Sequence, residues 1–152
     1  MTKKIKIGDL IQIFTSSGIA CAQVIHRHQE FGYLISVFNG FYEEVISDYT
    51  EVVASAPQFI AFFPVQAAVN QNLLSVVANV EVPEKLKEFP VFRTRSGGVG
   101  GAVWIWNGSE SHRLQRELTE SEMKYPTRGI ISAPLLVERI ENGYRAETHE
   151  IW

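Results

Sequence analysis

Runs of β-branched and aromatic residues, cut at short intervals by glycine turns, leave this chain few ways to fold other than as antiparallel sheet. Leu10 to Phe14 follows a Gly8-Asp9 turn and reads as a strand. The cluster Thr15-Ser16-Ser17-Gly18 ends it, and Ile19 to His28 resumes as a longer strand. Tyr33 to Phe38 follows the break at Glu30-Phe31-Gly32. Asn39-Gly40 is then a hairpin signal, because both residues tolerate positive φ. Strands packed this closely predict a strongly bent antiparallel sheet or a small SH3-like barrel in the N-terminal half.

The middle of the chain continues in strands. Gln58 to Phe63, closed by Pro64, and Leu73 to Val80 are apolar runs of strand length. Pro83 opens a short helical turn over Glu84 to Glu88, since proline fits the first helical position, and Pro90 ends it. Val91 to Arg95 and Ala102 to Trp106 are further strands, with a second hairpin signal at Asn107-Gly108.

Helices are signalled best in the last third. Thr119 and Glu122 form a capping box, with Leu118 and Met123 at the staple positions, and Pro126 stops that helix early. Ser132-Ala133-Pro134 starts another and Asn142-Gly143 ends it, with Leu136, Val137 and Ile140 on one face. Tyr144 to Trp152 alternates as a final strand would. The expectation is a mainly β (α+β) fold with two or three short helices. No repeat or linker divides residues 1–152, so a single domain is expected.

At 152 residues the chain is long enough to bury a core without disulfides or metals. Its formal net charge of −3 argues against nucleic acid as a partner, which calls for a surplus of Lys and Arg. Met1 to Asp9 has no apolar run of the kind a secretory signal needs, and no apolar stretch reaches bilayer length. The cytoplasm is the expected compartment, with no membrane partner.

The motifs that could carry chemistry are sparse. Gly97-Gly98-Val99-Gly100-Gly101 leads into a strand rather than a helix and lacks a Gly-Lys-Ser/Thr ending, so it reads as a hairpin loop rather than a phosphate cradle. His26 and His28 share a strand face, as some metal ligands do, but no third ligand stands near them in sequence, and a solvated polar strand end is the simpler reading. The single Cys21 sits among Ile19, Ala20 and Ala22, which fits a buried side chain. Arg93 and Arg95 share a strand face and with Arg113 and Arg116 could form a basic strip; surface ion pairing is the plainer outcome. Trp104 and Trp106 also share a face, either in the core or exposed as a stacking platform. No catalytic residues, metal or cofactor are expected.

The acidic stretch Glu43, Glu44, Asp48 and Glu51 is either a solvated surface or a docking patch. In the second case Tyr42 and Tyr49 would serve as aromatic anchors, because interfaces enrich tyrosine. The candidate partner-binding residues are therefore Tyr42, Glu43, Glu44, Asp48 and Tyr49.

The order of these motifs resembles the immunity protein 26 family of bacterial polymorphic toxin systems. The resemblance runs through Gly8-Asp9-Leu10-Ile11-Gln12-Ile13, Ala22-Gln23-Val24-Ile25 and Ser36-Val37-Phe38. It continues through Val82-Pro83-Glu84-Lys85-Leu86, Phe89-Pro90-Val91-Phe92-Arg93 and Trp104-Ile105-Trp106-Asn107-Gly108. It ends with Leu118-Thr119-Glu120 and Leu135 to Gly143. The Gly-rich loop and Asp48 to Pro57 depart from the pattern. The resemblance implies a binding protein that neutralises a cognate toxin domain through a tight inhibitory complex. Two other classes stay open. A small-barrel nucleic-acid-binding module would use Arg93, Arg95 and exposed aromatics. A hydrolase would need His26 and His28 lining a cleft beside carboxylates. The oligomeric state is left open.

Overall fold

The computed structural model describes residues 4–43, 49–97 and 100–148. Strands β1 (Asp9–Thr15), β2 (Gly18–His28), β3 (Gly32–Phe38), β4 (Pro57–Phe62) and β5 (Ser75–Asn79) form one antiparallel sheet in the order β4-β3-β2-β1-β5. Strands β6 (Phe92–Ser96), β7 (Ala102–Trp106) and β8 (Ser111–Arg113) form a second, in the order β6-β7-β8. Helices α1 (Thr50–Ala54), α2 (Val65–Asn70) and α3 (Ala133–Glu141) are short. Single 3-10 turns lie at Glu84–Leu86, Glu122–Lys124 and Ala146–Thr148.

The first sheet stays open, with β4 and β5 at its edges, so of the two expected forms the bent sheet is the one adopted. Register shifts between Leu10 and Ile11, between Val24 and His26, and between Val37 and Phe38 supply the bend, because an extra residue on one strand kinks it locally. Strands β1 to β3 are buried on both faces, which explains their nearly continuous apolar sequences. On one face Ile11, Ile13, Ala22, Val24, Ile35 and Val37 pack with Val65 and Ala68 of α2 and Leu136 and Ile140 of α3. On the other, Leu10, Cys21 and Phe38 meet Val52 of α1, and Ile25, Leu34 and Phe62 meet Phe92 and Trp106 of the second sheet.

That junction between the sheets is aromatic. The Phe62 ring stacks on Phe31 and on Phe92, each at a centroid distance of 5.1 Å. The backbone also crosses it. Arg93 pairs with Thr127 on one side of the 127–130 segment, and Phe62 with Ile130 on the other, both in parallel bridges. One extended segment thus ties an edge strand of each sheet together.

Several local expectations are corrected. Asn39-Gly40 does not close a tight hairpin. Gly40, at φ +96°, instead turns the chain toward Tyr42, which forms an antiparallel bridge with Ile19, and β3 finds its partner β4 only from Pro57. Tyr144 onward is no strand over its described part, where Ala146–Thr148 coil into a 3-10 turn. Helices α1 and α2 were not expected. The Thr119–Glu122 capping box forms as read, with Glu122 Oε1 accepting from the Thr119 amide at 2.9 Å and Thr119 Oγ1 accepting from the Glu122 amide at 3.2 Å. It opens only a 3-10 turn, because Tyr125 before Pro126 is already extended. Helix α3 runs as expected, with Ser132 Oγ accepting from the Leu135 amide at 3.3 Å.

Candidate functional site

Of the expected docking residues, Tyr42 falls at the β1–β2 hairpin. Tyr42 is held there by paired backbone bonds with Ile19, both 2.8 Å. The Tyr42 and Tyr49 rings are half-buried and pack against the cluster of Leu10, Cys21, Phe38 and Val52, so both tyrosines are partly committed to the fold. Burial, then the proximity of Cys21 and Glu51, raises the Tyr42 phenol above its ordinary value. Glu43 and Glu51 are exposed. Glu44 and Asp48 lie outside the described residues.

Sequence reasoning missed the apolar side chains that surround this hairpin. Phe14, near the end of β1, is 60% exposed, and Phe41 is 41% exposed. Gly18 lies directly beneath Phe41, since a Cβ there would come within 3.1 Å of the Phe41 Cβ. At the other side of the hairpin the Ser16 hydroxyl donates to Glu141 Oε2 of α3. Beside that contact opens a groove of about 600 Å³ between β1, the turn before β5, and α3. Ile13, Leu74 and Leu136 form its buried floor, and Phe14, Leu73, Pro134 and Val137 its walls. Leu73 is 51% exposed, and the charged residues lining the groove are Glu138 and Glu141. An exposed phenylalanine in sequence looks like any core residue, and this groove is assembled from segments far apart in the chain, so periodicity alone gave no sign of it.

The remaining candidates are structural. Arg93 is fully buried, which corrects both readings offered for it, surface ion pairing and the alternative of a basic strip. Its guanidinium donates to the Ala146 carbonyl and, at 3.2 Å, to Met123 Sδ, and burial lowers its pKa. Arg95 reaches the Gly101 carbonyl at 2.9 Å. His26 and His28 are half-buried rather than solvated. Their Nε2 atoms lie 2.8 Å from the Leu86 carbonyl and 2.7 Å from the Gly108 carbonyl respectively. They border different depressions, His26 beside Glu81 and Lys87 and His28 beside Glu30. Glu81 is itself paired with Lys87 at 2.7 Å, which holds its carboxyl below the usual range.

Burial pushes the Cys21 thiol up to about 12. Trp106 is buried, while Trp104 is half-buried and donates Nε1–H to Ser96 Oγ at 3.2 Å. The Gly-rich segment joins β6 and β7, with Ser96 opposite Ala102; Gly98 and Val99 lie outside the described residues. Among the described residues no three His, Cys, Asp or Glu side chains are grouped to hold a metal ion, and no helix is long and apolar enough to cross a membrane. No family model matches the chain, and no curated protein or solved structure matches it.

Proposed function

We propose that this chain is an immunity-type binding protein that neutralises a cognate bacterial toxin domain by occluding it, as its resemblance to the immunity protein 26 family implies. The observation that carries the reading is the β1–β2 hairpin end, where exposed Phe14 and Phe41 stand at the same turn with Glu43 beside them. Large apolar side chains held on a rigid sheet end are costly to leave in water and supply the central anchors of a protein interface. The acidic residues around them suit a basic partner and would speed association with it. Of the partner patch read from the sequence, Tyr42 and Glu43 adjoin this hairpin end. Burial of Arg93 removes the residue on which a nucleic-acid surface would have centred.

The test is a calorimetric titration against the toxin domain encoded in the adjacent reading frame, with the toxin's activity followed in parallel. A tight one-to-one complex that abolishes activity, and that Phe14→Ser or Phe41→Ser weakens by about tenfold or more, is the expected result. No binding heat together with undiminished toxin activity would overturn the reading.

A further inference from the structure

We propose that the groove between β1 and α3 receives a basic amphipathic segment of a partner protein, with its apolar side chains against Phe14, Leu73 and Val137 and its Lys or Arg residues against Glu138 and Glu141. This deepens the binding-protein reading and rests on it, but it does not require the partner to be a toxin.

The groove has the proportions of a pocket that takes several apolar side chains at once, and its floor residues are buried. Its walls leave Phe14 and Leu73 more than half exposed, so an occupant would remove apolar surface from water that the fold leaves uncovered. The rim decides what kind of occupant fits. Glu138 and Glu141 are three residues apart on α3 and so share one side of the helix. Among the described residues neither pairs with a cation. The basic residue of α3, Arg139, is turned to Tyr144, with its guanidinium 4.3 Å from the ring centroid. Glu141 is also held in place by the Ser16 hydroxyl, so its carboxylate needs little reordering on binding. A partner carrying acids at the groove edge would meet two like charges, whereas one carrying Lys or Arg gains attraction there. An amphipathic helix, with apolar residues spaced along one face and basic ones beside them, matches this layout.

The experiment uses the full 15N-labelled chain and two synthetic helical peptides, one of leucine and lysine, one of leucine and glutamate. The lysine peptide should cause saturable resonance shifts at Phe14, Leu73 and Val137. A Glu138→Lys/Glu141→Lys double variant should weaken it about tenfold or more, and Phe14→Ser should do likewise. Glu138→Gln, a milder change at an exposed position, should weaken it less, and melting curves check that each variant is folded. Absence of saturable shifts in the groove, equal binding of the glutamate peptide, or indifference to the double variant would each overturn the proposal. So would concentration-dependent dimerisation abolished by Phe14→Ser, since a second copy would then be the occupant. A toxin domain that wild type and the folded double variant neutralise equally, while the variant loses the peptide, overturns the groove and spares the binding-protein reading. Peptide capture that meets every criterion above, from a chain that neutralises no toxin, supports the groove and overturns the immunity reading.

Discussion

His28 donates its Nε2 proton to the Gly108 carbonyl at 2.7 Å, pinning a strand of the first sheet to the hairpin turn of the second. On the opposite edge of the ring, Nδ1 accepts from the Glu30 and Phe31 amides at 3.1 and 3.3 Å. A carbonyl only accepts and an amide N–H only donates, so the neutral Nε2–H tautomer satisfies all of these partners. The ring also meets Trp106 edge-on at a centroid distance of 5.0 Å. Nitrogen-15 spectra of the neutral imidazole should show a protonated Nε2 and a bare Nδ1. His28→Ala should lower the unfolding free energy by about 2–3 kcal/mol, through an orphaned carbonyl and lost ring contacts. The reverse tautomer, or a neutral substitution in urea denaturation, would contradict this account of the junction.

The same turn tolerates little at Gly108. Its φ is +104°, and a Cβ there would lie 2.8 Å from the Phe89 ring. Phe89 packs in turn on Phe92 and Trp106, at centroid distances of 5.7 and 5.8 Å, so its retreat would disturb those contacts. Gly108→Ala should cost about 1–3 kcal/mol from combined backbone strain and overpacking. An unchanged denaturation midpoint would show that Phe89 moves aside freely.

Strands β1, β2 and β3 were legible because their signals are local: β-branched runs bounded by Gly8, Gly18 and Gly32, each at positive φ. Helix α3 was legible for the same reason, from Ser132 at one end and Gly143 at the other. Helix α1 hid because Val52 and Val53 suit a strand as well as a helix, and only contact of Val52 with Leu10, Cys21 and Phe38 decides the matter. Helix α2 is a single short stretch whose apolar Val65 and Ala68 carry too little periodicity to stand out. The proposed binding surface was half legible. Tyr42 and Glu43 stood out by composition, but Phe14 and Leu73 look like core residues in sequence and only the tertiary structure shows them exposed. The burial of Arg93 was equally invisible, since the helical turns that cover it come from residues 122–124 and 146–148.

Arg93 should therefore matter to stability. Its backbone is bonded to Pro126 and Arg128, at 2.9 and 3.0 Å, while its side chain reaches Met123 and Ala146. Arg93→Ala removes a large buried side chain and leaves the Ala146 carbonyl to find another donor, at a cost of about 3 kcal/mol. Arg93→Lys should recover only part of this, because one ammonium cannot reproduce the planar fork. Urea denaturation of both variants measures the difference; equal midpoints for wild type and Arg93→Ala would contradict it.

Cys21 offers a probe of global opening. It is fully buried, and with its thiol pushed up to about 12 almost no thiolate exists near neutral pH. Disulfide-exchange reagents should leave the native protein unlabelled and react as fast as it unfolds, so labelling rates should rise with urea alongside the unfolding rate. Complete labelling on mixing in the absence of denaturant would show that the core around β2 opens locally.

The surface pairing of Arg116 with Glu122 should appear in the acid limb of stability. Arg116 donates to both Glu122 oxygens, at 2.6 and 3.0 Å, and the Thr119 amide adds a third bond at 2.9 Å. Arg116 first, then Thr119, lowers the Glu122 pKa from its ordinary 4.5 to about 2. The folded value lies below the unfolded one, so unfolding takes up a proton at pH values between them. The stabilisation is therefore complete above pH 4.5, shrinks as pH falls, and is gone below about 2. Wild type should melt higher than Glu122→Gln near neutral pH, with the gap closing across that window. Because the pair lies at the surface, the gap should be modest and should narrow further in high salt. A melting difference that stays constant from neutral pH down to pH 2 would mean that Glu122 acts through packing rather than charge.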